Sequence, residues 1–229
     1  MAVVGSGTIS LLSLANEFGG SVPHALSEYY RIGGLVPRTE TSVPTSGLIS
    51  LSDFYGTERV NPNTLTYDTP GTYFLAVPAH NTLVLYAYGA GGGGGGSWFD
   101  SGFPGGAGDP GGDSYISIPT YGTMYGFGGG GGPTWLSGSA SNGSASGGNN
   151  ANNPGGGYGG GAGGVYGASF GAQGGAGGAA VSVFTFGVSS GAPGQGVTLT
   201  IVVGAGGAGG VGQVSGSPGT NGQVVVSWS

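Results

Sequence analysis

Apolar and polar side chains alternate in short runs through residues 72–228, and the runs are separated by glycine. Period-two alternation marks a half-buried strand. It predicts strands at 72–77 and 82–88 around the turn Pro78-Ala-His-Asn81, then at 114–118, 180–186, 197–203 and 223–228. In 82–88, Leu83, Leu85 and Ala87 fall on one face, with Val84, Tyr86 and Tyr88 on the other.

Residues 1–57 follow a different rhythm. Extended segments run into helical spacing twice, in Gly7-Thr-Ile-Ser-Leu-Leu-Ser-Leu and in Gly47-Leu-Ile-Ser-Leu-Ser-Asp-Phe. A serine precedes the apolar positions each time, placed to cap the first amides. The expected helices are 12–17, ended by Gly19-Gly20, and 23–31, followed by a short turn at 52–55. Pro23 opens the second helix where a missing N–H costs nothing, and Gly33-Gly34 stops it. Leu11, Leu14, Phe18, Tyr29, Tyr30, Leu51, Phe54 and Tyr55 are the apolar side chains of this small helical unit, and they are its candidate attachment residues. Such a unit is marginal alone and is expected to lean on a partner. Residues 58–63, Glu-Arg-Val-Asn-Pro-Asn, read as a hinge into a β region over 64–229.

Glycine changes the picture of that β region. From Gly89 onward 51 of 141 residues are Gly, gathered at 89–96, 126–132, 155–164, 171–178 and 204–212. Disorder requires low hydrophobicity as well, yet 37% of the chain is hydrophobic and 24 residues are aromatic. An ordered fold follows. The tracts lack a strict Gly-X-Y repeat, which excludes a collagen helix. Two readings stand: polyglycine II helices packed side by side, or flexible loops on a β-sandwich. Packing is favoured, because a cooperative array of backbone hydrogen bonds offsets the entropy that glycine loses on ordering. The fold class is therefore mainly β: a small α-helical module, then a glycine-rich β-sandwich-like domain.

Charge narrows the function. Only three cations occur, Arg31, Arg38 and Arg59, against nine acids, and none of Asp, Glu, Lys, Arg or His lies between Ser114 and Ser229. Nucleic acid and anionic membranes are poor partners for such a chain, and no apolar run is long enough to span a bilayer. The N-terminus lacks the basic and apolar regions of a signal peptide, so synthesis in the cytoplasm and release by lysis are expected. Cysteine is absent. Acid–base, nucleophilic and metal chemistry lack the side chains they need, so an enzyme is not expected, nor a cofactor.

Three constellations carry weaker signals. Asp100, Asp109 and Asp113 share a glycine loop, but their spacing fits no calcium motif, and solvated carboxylates are the better reading. His24 and His80 lie in different units. Gly-x-Gly-x-x-Gly matches arise from composition and lack the strand–helix context of a nucleotide site.

The opening unit resembles the N-terminal segments of bacteriophage tail and fibre proteins, through Gly7-Thr-Ile-Ser-Leu11 and, more specifically, Ile49-Ser-Leu-Ser-Asp-Phe-Tyr-Gly56. The remainder is similar to glycine-rich domains attached to such proteins. The matching stretches are Leu83-Val-Leu-Tyr-Ala-Tyr-Gly-Ala-Gly-Gly, Ile201-Val-Val-Gly-Ala-Gly-Gly and Gly222-Gln-Val-Val-Val-Ser-Trp228. The resemblance implies a virion structural protein of the tail, assembled in the host cytoplasm. Its partners would be other tail proteins and further copies of itself, with a trimer as in most fibres. It also implies contact with a host glycan or outer-membrane protein. Aromatic loop side chains suit that contact, and Trp98, Phe99, Phe103 and Trp135 are the candidates, lying in the least regular segments. Passive tail assembly without receptor binding is the alternative. An ice-binding surface is a remote third reading, since the regular flat array of Thr it would need is missing.

Overall fold

The computed structural model describes residues 2–31, 33–97, 105–134, 139–153, 156–161, 165–166, 169–170 and 172–229. Ser10 opens α1 (Leu11–Phe18) with a reciprocal cap. Its hydroxyl accepts the Ser13 N–H at 3.2 Å, and Ser13 Oγ accepts the Ser10 N–H at 3.3 Å. Gly19, at φ 78°, ends the helix in a conformation that favours glycine.

The expected helix at 23–31 does not form. A single 3-10 turn, Leu26–Tyr29, stands in its place. Glu28 explains the difference: its carboxylate accepts the N–H groups of Ser21 and Ala25 at 3.0 and 3.1 Å, folding the segment back on itself. Tyr29 turns inward and donates to Gly19 O at 2.8 Å, and Tyr30 is already extended. A nine-residue stretch has little helical stability of its own, so these ties decide its shape. The Leu51–Phe54 segment is likewise a 3-10 turn, in which Asp53 accepts the Ser50 N–H at 2.8 Å. The described residues of the first 57 thus hold one short α-helix and two 3-10 turns about an apolar cluster of Val3, Leu14, Phe18, Tyr29, Val36, Val43 and Phe54.

The strands are β1 (Asn63–Tyr67), β2 (Gly71–Ala76), β3 (Thr82–Tyr88), β4 (Ser114–Ile118), β5 (Gly122–Gly126), β6 (Ala145–Ser146), β7 (Ala151–Asn153), β8 (Val165–Tyr166), β9 (Ser169–Phe170), β10 (Ala179–Thr185), β11 (Thr198–Val203) and β12 (Gln223–Trp228). They form two five-stranded antiparallel sheets, ordered β1-β12-β3-β10-β7 and β2-β11-β4-β5-β6, with β8-β9 as a separate pair. Leu83, Leu85 and Ala87 are buried as the alternation predicts, and Val84, Tyr86 and Tyr88 take the other face. One apolar cluster draws on both sheets: Leu85, Phe184 and Val226 from the first, Ile116, Met124 and Ile201 from the second.

Strands β3, β5 and β11 lead directly into a glycine-rich tract, and β4, β10 and β12 directly follow one. The tract after β3 is the centre of the assembly. Residues 89–97 are all buried, and every N–H among them donates to another tract at 2.8–3.1 Å. The partners repeat every third residue. Gly89, Gly92 and Gly95 donate to Gly178, Gly175 and Ala172. Ala90, Gly93 and Gly96 donate to Gly112, Asp109 and Gly106, while Gly91, Gly94 and Ser97 donate to Thr220, Ser217 and Val214. The carbonyls reach three further tracts: Gly129 and Gly132 donate to Ala90 and Gly93, Tyr158 and Gly161 to Gly89 and Gly92, and Gly207 and Gly210 to Gly91 and Gly94.

Six tracts therefore enclose the central one, and each is bonded to the next around the ring. The links are Gly106 to Val211, Gly219 to Gly207, Thr220 to Gly159, Gly174 to Gly161, Gly175 to Gly130 and Gly111 to Gly129, each pair joined by N–H···O=C bonds of 2.8–3.3 Å apart from the 2.6 Å Gly106–Val211 bond. The absence of side chains is what permits this spacing. A Cβ on Gly92 or Gly93 would stand 2.0 or 1.9 Å from a carbonyl oxygen of a neighbouring tract.

The N-terminal unit meets the opposite ends of the strands. The Arg38 N–H donates to Asn81 Oδ1 at 2.8 Å, the His80 N–H to Thr39 Oγ1 at 3.1 Å, and the Gln195 amide to Glu58 Oε1 at 2.9 Å. The order is capped unit, sheets, glycine tracts.

Candidate functional site

The four aromatic residues expected at a receptor contact, Trp98, Phe99, Phe103 and Trp135, lie outside the described residues. Their described neighbours are informative. Ser97 pairs with Val214, and Gly105, Thr134 and Ser139 follow or precede tracts at the end of the bundle away from the sheets. Asp100 also lies outside the described residues. Asp109 belongs to the ring through its backbone, and the Asp113 carboxylate accepts the Gly128 N–H at 2.8 Å, fastening two tracts together.

The candidate attachment residues divide in two. Leu14, Phe18, Tyr29 and Phe54 are core, their three aromatic rings meeting at 6.2–6.4 Å, and Leu11 and Leu51 pack against them. Tyr30 and Tyr55 clamp the unit from outside, donating to Gly47 O and Gly7 O. The exposed large apolar side chains of this unit are Val4, Leu12, Val22 and Leu48, half to almost fully exposed, together with Tyr55 at 37%. Leu12 follows from its position on α1, opposite Leu14. The others sit in irregular backbone, where periodicity gives no signal.

A cluster outside the receptor-contact candidates expected from the sequence stands on the outer face of the first sheet. Tyr86 and Tyr88, two apart on β3, hold their rings parallel, 3° between planes and 5.9 Å between centroids. Tyr158 comes over from the tract that follows β7 and meets Tyr88 edge-on at 6.0 Å and 88°. With Gln223, Val225 and the Gly156–Gly157 backbone they line an open cleft of about 290 Å³. Burial holds the Tyr88 hydroxyl above the usual tyrosine range, reinforced by the neighbouring phenols of Tyr86 and Tyr158.

Titratable groups gather at the junction with the N-terminal unit. His80 is fully buried against Phe186, its Nδ1 2.8 Å from Pro78 O and its Nε2 without a partner among the described residues. Burial drives its pKa down, partly offset by the Pro78 hydrogen bond. Glu40, also buried, accepts the Glu58 N–H at 3.0 Å, and desolvation raises its carboxyl. No group of three or more His, Cys, Asp or Glu converges on a common point among the described residues.

No known protein family, curated protein or solved structure matches the chain.

Proposed function

We propose that the chain is a structural protein of a bacteriophage tail or tail fibre that carries host contact at the end of its glycine bundle. In this reading the two sheets form a β-sandwich-like body, and the tracts run as polyglycine II helices with a central helix ringed by six. The three-residue repeat of hydrogen-bond partners supports the helices. So does the absence of positive φ among the described tract glycines. The single observation that carries the function is the order along the molecule. The unit that resembles phage tail segments occupies one end, tied to the strands at Asn81 and His80, and the described tract ends around Ser97, Gly106, Ala172 and Val214 occupy the other.

A bundle whose described tracts carry only Asp109 and Asp113 as charged side chains suits the presentation of loops at its far end. The N-terminal unit would then dock on other tail proteins or on further copies through Leu12, Val22 and Leu48.

The test uses virions that carry the chain, together with their host cells. Mass spectrometry of purified virions is expected to find it, and its absence there overturns the assignment. Labelled full-length protein is expected to bind intact host cells saturably and to slow phage adsorption. A folded sample that does neither restricts the role to tail assembly.

A further inference from the structure

We propose that the cleft formed by Tyr86, Tyr88, Tyr158 and Gln223 is a binding site for a neutral sugar ring, of the size of one hexopyranose. This site lies on the side of the first sheet, and its chemistry is the same whether or not the chain belongs to a tail.

Four observations select the ligand. The walls are tyrosine rings, two of them parallel and the third set edge-on to Tyr88. Tyrosine offers an apolar face to C–H groups and a hydroxyl at the same time, the combination that a pyranose presents in reverse. Among the described residues no hydrogen bond uses the hydroxyls of Tyr86, Tyr88 or Tyr158, nor the Gln223 side-chain amide. Donors and acceptors are thus left free around the rim of an apolar floor. Among the described residues no charged side chain lines the cleft, so a phosphate, a sialic acid or an acidic peptide would enter it without a cationic partner, which is costly. Finally, about 290 Å³ sits just below the roughly 300–1,000 Å³ of drug-sized ligand pockets, enough for one ring with its chain running out through the open side.

The glycines complete the fit. Gly157 donates its N–H to Gly177 O, which seats Tyr158 over the β3 end and leaves bare backbone beside the rings. A side chain at 157 would meet the Gly177–Gly178 backbone at 2.7–2.9 Å, so this position stays bare unless the tract moves.

The test is saturation-transfer NMR on the full-length chain, with the methyl glycosides of glucose, galactose, mannose and N-acetylglucosamine as probes and N-acetylneuraminic acid as the charged comparison. At least one neutral glycoside is expected to receive saturation with a Kd in the millimolar range, and the charged sugar to receive none. Tyr88→Ala is expected to weaken binding at least tenfold. Gln223→Ala should weaken it several-fold, and Tyr88→Phe should keep most of it because the ring remains. Tyr115→Ala, on the outer face of the second sheet, should leave it unchanged. If Tyr88→Ala does not fold, Gln223→Ala and Tyr158→Ala decide the matter. The proposal is overturned if no glycoside binds the folded chain, or if binding survives these substitutions. It is equally overturned if sedimentation shows the cleft filled by a second copy, as a dimer abolished by Tyr88→Ala.

Discussion

Gly93 and Gly159 stand in neighbouring tracts and differ in what a methyl group would meet. At Gly93 it would fall 1.9 Å from Ala208 O, backbone that cannot move without opening the ring; at Gly159 nothing lies within 4 Å. Gly93→Ala is expected to destabilise by about 3 kcal/mol or more, at or above the upper end of ordinary core overpacking. Gly159→Ala should be neutral or stabilising by up to about 1 kcal/mol, since it restricts the unfolded chain. Thermal unfolding of the two variants checks the pair. The residue scale is also where the sequence was least complete. Stretch 214–222 does not stand out by glycine content, and 105–112 reads from sequence only as part of a glycine loop, yet both join the ring. What marks them is a local period of three: Gly105, Gly108 and Gly111 face the central tract, as do Gly216 and Gly219. The composition of a tract hides that period, because outward positions accept Ala, Asp, Pro, Ser or Thr.

Elements were legible in proportion to their alternation. β3, β4 and β12 follow it residue for residue, and β2, β10 and β11 differ from expectation only at their ends. β5 escaped because Gly122 and Gly126 bound a core of three side chains, and β1 because Asn63-Thr-Leu-Thr-Tyr has one aliphatic residue. The helix expected at 23–31 was lost to Glu28 and Tyr29, contacts that no local pattern encodes. The junction between the N-terminal unit and the strands yields two predictions. Asn81→Ala leaves the Arg38 N–H without its acceptor and should cost about 1–3 kcal/mol, seen as earlier proteolysis between 58 and 63. His80 gives a pH signature. Its folded pKa lies below the usual 6.5, so the unfolded chain takes up the proton first as pH falls. Its contribution is intact above about pH 6.5 and is lost as pH drops through that value toward the folded pKa. Melting temperature is expected to fall between pH 7.5 and 5.5, and less so in His80→Gln. Glu40 acts with the opposite sign. Its folded pKa is raised above 4.5, so the folded state protonates first and regains stability below that raised value, down to about pH 4.5.

At the scale of the molecule, charge and glycine separate. All three cations lie in the first sixty residues, and no ionisable acid or base of the Asp, Glu, Lys, Arg or His type follows Asp113. Repulsion therefore barely opposes association of the sheets and tracts, and sedimentation of the full chain should show concentration-dependent oligomers. The candidate site was legible only as a class, aromatic side chains beside glycine. Which aromatics converge was decided by β3 register and by the path of residues 156–158, both of them long-range. The central claim is that this protein has a second core made of backbone, in which buried amides are satisfied by other tracts rather than by water. Amide hydrogen exchange of Gly92, Gly93 and Gly94, followed by NMR in the full chain, tests it most directly. The account predicts that these amides exchange only as slowly as global unfolding permits, alongside Leu85 and Ile201. Exchange within seconds, at the rate of an open glycine loop, would contradict it.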